Sequence, residues 1–119
     1  MFEDGVPIFT QLAEAIEADI LRGTYPEGAQ VPSLNELAVF HRINPATANR
    51  AVAQLVDRGV LIKRRGIGMF VADGARQLIA DERRKLLVER YVNPLLAEAR
   101  ALGLSEQDLI TLITKEATP

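Results

Sequence analysis

The proline at position 45, inside the alanine-rich run RINPATANRAV (42–52), constrains this chain more than any other residue. Within a helix, proline costs about 3 kcal/mol, because it lacks an N–H and its ring strikes the carbonyl four residues back. At the first helical position both objections vanish, since that N–H has no intrahelical partner and proline's φ is already helical. Asn44, directly before it, is among the best N-cap residues. The stretch therefore predicts a helix over 45–58, begun by Pro45 and stopped by Gly59. At about 100° per residue, Ala48, Ala51, Val52, Leu55 and Val56 gather on one face. Ala46, Arg50, Ala53 and Gln54 lie on the other, with Thr47 and Asn49 flanking the outer face near its start.

The surroundings give that helix its context. Apolar residues at 8, 9, 12, 13, 16, 20 and 21 mark an earlier amphipathic helix that ends at Gly23. TYPEG is a turn, and AQV allows a short extended piece before Pro32. Ser33 with Glu36 forms a capping box for a short helix ending near His41. After Gly59, the β-favouring runs VLIK and MFVA flank RRGIG, a hairpin signal with Lys63, Arg64 and Arg65 at its tip. Beyond Gly74 the chain is helix-rich. Asn93 and Pro94 are expected to break or kink that run, and Ser105 with Asp108 opens a last helix.

A net charge of −2 speaks at first against a nucleic-acid partner, but its distribution does not. Residues 1–41 hold one arginine against seven carboxylates, a net −6. Residues 42–65 hold six basic side chains against Asp57 alone, a net +5. With no cysteine there is no disulfide, thiolate nucleophile or Cys-based zinc site. His41 is the only histidine and suits packing or a helix end better than a metal. No nucleophile, metal cluster or phosphate-binding glycine loop supports an enzyme, and no cofactor is expected. No apolar run approaches the roughly 20 residues needed to span a bilayer, and the first residues do not resemble a signal peptide. A cytoplasmic protein is expected.

Three helices, a short turn between the second and third, and a basic hairpin make a winged helix-turn-helix. The expected fold is mainly α with a small β-hairpin: a DNA-binding domain over 1–73, then a helical dimerisation region over 74–119. Such a domain sets the helix after the turn in the major groove, with residues near its N-terminus reaching base edges. The candidate contacts there are Asn44, Pro45, Ala46, Thr47, Asn49 and Arg50. Arg50 suits a guanine edge or a phosphate, Asn49 an adenine, and Thr47 either a base or a phosphate. Lys63, Arg64 and Arg65 would lie along the backbone or minor groove, with Gly66 and Gly68 permitting close approach. Ser33 reads first as a cap and second as a phosphate contact.

The segments PIFTQLAEAIEADILRGTYPEGAQVPSLNELA and INPATANRAVAQLVDRGVLIKRRGIGMFV resemble the N-terminal winged-helix domain of the GntR family of bacterial transcriptional regulators. The likeness covers roughly residues 7–72 and lies in the order of its parts. These are a first helix, a P-x-G turn, V-P-S, E-L-A, a capped helix and a G-x-G-x-F-V wing. The short tail with its LGLS segment is similar to the YtrA subfamily, which has a small helical dimerisation region and no large effector-binding domain. The resemblance implies a dimeric DNA-binding regulator, often a repressor. Where the broad family often carries arginine, this chain has Asn35, Pro45 and Asn49, so its base contacts should be less polar. His41 and Arg42 stand where relatives commonly have Leu and Gly, and Arg42 is expected to add a phosphate contact at the turn.

Two half-sites roughly double the contacts of one small domain, which favours a homodimer on a double-stranded operator. The tail's apolar positions, among them Leu86, Leu87, Val92, Leu95 and Leu109, exceed what a lone pair of helices would hide. The competing reading is a winged-helix protein-interaction module without specific DNA binding, for which three consecutive basic residues at the wing tip would have no use. No effector ligand, operator sequence or direction of regulation follows from these residues.

Overall fold

The computed structural model describes residues 5–119, in two compact units divided between Asp81 and Glu82. In the first, α1 (Ile8–Arg22) leads through β1 (Gln30–Val31) to α2 (Leu34–His41), α3 (Pro45–Asp57) and the strands β2 (Leu61–Arg64) and β3 (Gly68–Val71). The start of α4 (Ala75–Leu87) closes it.

Local chemistry sets several helix ends of this unit. Gly23 terminates α1 in the left-handed region, φ 84°, a conformation that glycine adopts without steric cost. Ser33 and Glu36 cap α2 reciprocally, the Glu36 N–H donating to the Ser33 hydroxyl and the Ser33 N–H to the Glu36 carboxylate. The Asn44 carboxamide oxygen accepts from the Ala46 N–H at 2.8 Å, with Pro45 as first residue of α3. The last helical residue is Asp57, and Arg58 is its C-cap.

The core is the shared apolar face of these elements. Ala48, Ala51, Val52 and Leu55 of α3 are buried, as the helical period requires, with Val56 at the margin. They meet Leu12, Ile16 and Ile20 of α1 and Leu37 of α2, and the sheet closes the cluster with Val31, Leu61 and Val71. Ala75 and Ile79 are fully buried in the same cluster. The first unit thus runs beyond the turn at Gly74, because the first turns of α4 are part of its core.

The hairpin is one part of a larger sheet. β1 pairs antiparallel with β3, which pairs antiparallel with β2, in the order β1-β3-β2. The short extended piece before Pro32 is therefore a strand, with Gln30 opposite Phe70 and Val31 opposite Met69.

In the second unit the helical run, expected to break or kink at Asn93–Pro94, is locally widened there and not broken. The helical backbone continues through one π turn (Val88–Val92) directly into α5 (Asn93–Ala101), and α6 (Glu106–Ala117) follows. The Asn93 N–H donates to the Val88 carbonyl five residues back. The wider turn re-routes the backbone hydrogen bonds just where Pro94 can offer none, so the helix passes the proline without stopping. Ser105 and Asp108 form the second capping box. Ala99 and Leu109 are the buried apolar side chains of this unit, whereas ten of its large hydrophobic residues are exposed.

Candidate nucleic-acid interface

The N-terminal end of α3 presents a surface that the core does not consume. Asn44, Pro45, Ala46, Asn49 and Arg50 are exposed and Thr47 is half-buried. Asn44 spends its carboxamide oxygen on the Ala46 N–H, so its first role is to set where the helix starts. The first turn of a helix exposes N–H groups and the positive end of its dipole, which suits an anionic backbone; Pro45 removes one donor. Ala46 and Pro45 leave a low, apolar surface between the polar side chains.

Arg50 is held from an unexpected quarter. Its guanidinium carbon lies 4.0 Å from the centroid of the Phe9 ring, a cation–π contact with the first turn of α1. One further arginine joins the same two helices: Arg58 donates to both carboxylate oxygens of Glu17, at 3.0 and 3.2 Å. Glu17 is 6% exposed, so this pair ties α1 to α3, and Arg58 leaves the basic surface that its place in the 42–65 stretch had suggested. Arg42, Arg50, Lys63, Arg64 and Arg65 remain exposed in that stretch.

Arg42 caps α2 in the left-handed conformation, φ 55° and ψ 49°, and among described residues it alone combines a side chain with positive φ. Glycine adopts that geometry without steric cost, whereas a side chain does not. Ser33 is engaged in its cap and is exposed. Asn35 lines a groove of about 700 Å³ between α1 and α2, together with Ile16, Tyr25, Leu37 and Phe40. The Tyr25 phenol is pushed above its ordinary value, first by desolvation and then by the Asp19 carboxylate.

The wing is built around its glycines. Lys63 and Arg64 end β2, Arg65 and Gly66 form the tip, and the Ile67 N–H closes it on the Arg64 carbonyl at 3.0 Å. Gly66 has φ 75° and Gly68 φ 142°, both outside the range of ordinary side chains. A Cβ on Gly68 would come within 2.5 Å of the Gln30 side-chain nitrogen. Gln30 fills that space because its amide donates to the Ile67 carbonyl at 3.1 Å, bracing the tip from β1. Arg64 in turn lies over the Phe70 ring, 5.0 Å from its centroid.

Sequence patterns identified the exposed side chains but not the contacts that Phe9, Glu17 and Gln30 make behind them. Phe9 and Glu17 sit in the apolar helical stripe of α1 or beside it, and Gln30 sits in an extended dipeptide. Their partners are 41, 41 and 37 residues away, and no local periodicity reports such distances.

No group of three or more His, Cys, Asp or Glu side chains able to hold a metal occurs among the described residues. No helix among them is long and apolar enough to cross a membrane.

Comparison with known proteins concerns the domain that carries this surface. Residues 9–71 match the family described as bacterial regulatory proteins, gntR family. The chain is 28% identical to the uncharacterised HTH-type transcriptional regulator YhcF of Bacillus subtilis, over 92% of this chain and 88% of that protein. It is 25% identical to the HTH-type transcriptional repressor YtrA of the same organism, over 87% and 78%. Two further regulators match only over about 60% of this chain, which spans 27% and 31% of their lengths. Among solved structures, a GntR family transcriptional regulator from Listeria monocytogenes superimposes with a TM-score of 0.81 at 28% identity, covering 96% of this chain and 98% of that one. The DNA-binding domain of AraR in complex with operator ORX1 gives a TM-score of 0.57 at 28% identity, over 60% of this chain and 93% of that one.

Proposed function

The chain belongs to the GntR family of bacterial regulatory proteins, a DNA-binding transcriptional regulator by that membership, and from this premise we propose that it is a homodimeric, sequence-specific repressor. The observation that carries the reading is the start of α3. A side-chain cap and a first-position proline fix the helix end, and Asn49 and Arg50 stand exposed beside it. In this reading α3 enters the major groove, with Thr47, Asn49 and Arg50 toward base edges or phosphates. Lys63, Arg64 and Arg65 follow the backbone or the adjacent minor groove, and Arg42 and Ser33 add phosphate contacts. The operator-bound AraR domain, similar over 60% of this chain, supports duplex DNA as the partner. The repressor YtrA, similar over most of both chains, supports the direction of regulation. A cytoplasmic location follows from a DNA partner.

Selection of bound duplexes from a random pool supplies the test. Arg50→Ala should weaken the selected duplex by about 1–3 kcal/mol and relax the preference at one position. Arg64→Ala should weaken all duplexes alike and lower the salt slope by about one. Wild-type binding by both variants would remove the assignment of this surface.

A further inference from the structure

We infer that Phe9, an α1 residue outside the recognition helix, is a positioning residue for Arg50 and so contributes to base specificity. The inference rests on the reading of Arg50 as a groove-facing side chain.

The geometry is that of a guided arginine. Phe9 is half-buried and packs against the core cluster, so its ring is anchored. Arg50 is exposed, and its guanidinium carbon lies 4.0 Å from the ring centroid. A second pair, Glu17 with Arg58, joins the same helices through two hydrogen bonds. Both pairs are 41 residues apart in sequence, so α1 and α3 run side by side in the same direction. Eight residues of helix, about 12 Å, separate one pair from the other. The part-buried Glu17–Arg58 pair therefore joins the two helices at a second point beyond the one where Phe9 meets Arg50.

A guanidinium held over an aromatic ring can keep its readout chemistry. Where the ring engages the face of the planar group, the N–H donors point outward in the plane, along its edges. Those edges remain available for the two acceptors of a guanine or for a phosphate. What the ring removes is freedom: a long side chain with many rotamers is confined before DNA arrives, so less order must be imposed on binding. A correctly placed base edge gains from this confinement. A wrong base, which would need the arginine to swing elsewhere, does not.

The test uses the full chain, the duplex that it selects from a random pool, and a scrambled duplex of equal length. Phe9→Leu keeps an apolar side chain of similar reach without a π face, Phe9→Met does so with a flexible one, and Phe9→Tyr keeps the ring. Phe9→Leu and Phe9→Met should each weaken the selected duplex roughly 3- to 10-fold and change the scrambled duplex less than about twofold. Phe9→Tyr should bind as wild type. In an Arg50→Ala background, Phe9→Leu should cost nothing more, because the pair acts as one unit.

Equal losses on both duplexes, or the same loss with Arg50 already removed, would show Phe9 to be a packing residue and overturn the inference. Two leucine and methionine variants guard against one that fails to fold, checked by thermal unfolding. If Arg50→Ala itself binds the selected duplex like wild type, the groove reading of Arg50 falls as well. If Arg50→Ala weakens that duplex and the Phe9 variants do not, only the role of Phe9 falls.

Discussion

At the scale of single residues, Asn44 and Ser33 set helix starts by accepting from backbone N–H groups two and three residues on. Arg42 shows how a side chain can be retained against local geometry. It holds the left-handed position that glycine would fill without strain, at a cost of about 1 kcal/mol. Arg42→Gly should raise stability modestly, by up to about 1 kcal/mol in urea unfolding, because relief of strain is partly offset by glycine's greater freedom in the unfolded chain. In the DNA-binding reading the same change should weaken binding and make its salt slope shallower by about one phosphate contact. Gly68 presents the opposite case. Gly68→Ala would place an L-residue at φ 142° and drive its Cβ against the Gln30 amide, so the bond to Ile67 must break or the tip must move. A stability loss of about 1–3 kcal/mol is expected, with DNA binding reduced as in the wing variants. Unchanged unfolding would mean that the tip accommodates the methyl group elsewhere.

At the scale of elements, capping explains both the accuracy of the helix boundaries and a pH dependence. The Glu36 carboxyl is held below its ordinary value by the Ser33 N–H first and the Ser33 hydroxyl second. Asp108 is held down in the same way by Ser105. A carboxyl lowered in the folded state stabilises fully above its unfolded value, and that contribution fades as pH falls through the folded one. Glu36→Gln keeps a hydrogen-bonding cap but removes the charge and the titration. The parent should therefore be the more stable at neutral pH, with the gap in urea midpoint narrowing on acidification below the ordinary glutamate range. A gap constant with pH would assign the cap's value to geometry alone. Elements whose identity depends on distant partners were harder to read. β1 has two residues, too few for alternation, and becomes a strand only because β3 offers it a ladder. The π turn before Pro94 was equally hidden, because a proline in a helical pattern reads as a stop until the backbone upstream is seen to widen.

At the scale of the whole molecule, burial separates the two units by task. The first closes a continuous core that reaches Ile79. The second buries Ala99 and Leu109 yet exposes ten large apolar side chains, more than a lone soluble surface ordinarily shows. Leu86, Leu87, Tyr91, Leu95 and Ile113 lie among them, and α5 and α6 also line an apolar groove of about 520 Å³. In the proposed reading the partner is a second copy, and the point of cutting decides whether this can be tested cleanly. Truncation after Gly74 would strip Ala75 and Ile79 from the core, removing a fully buried isoleucine worth about 1.5–3 kcal/mol, and would confound lost dimerisation with lost stability. Truncation after Asp81 spares both. The shorter protein should then keep a cooperative unfolding transition, sediment as a monomer, and bind a single half-site about as well as one domain of the parent. Its affinity for a two-half-site duplex should fall about 10²- to 10⁴-fold, since the second contact is no longer tethered to the first. A truncated protein that still sediments as a dimer would move the dimer interface into the first unit. An intact protein that sediments as a monomer off DNA and binds two half-sites without cooperativity would leave the exposed face of the tail to another partner.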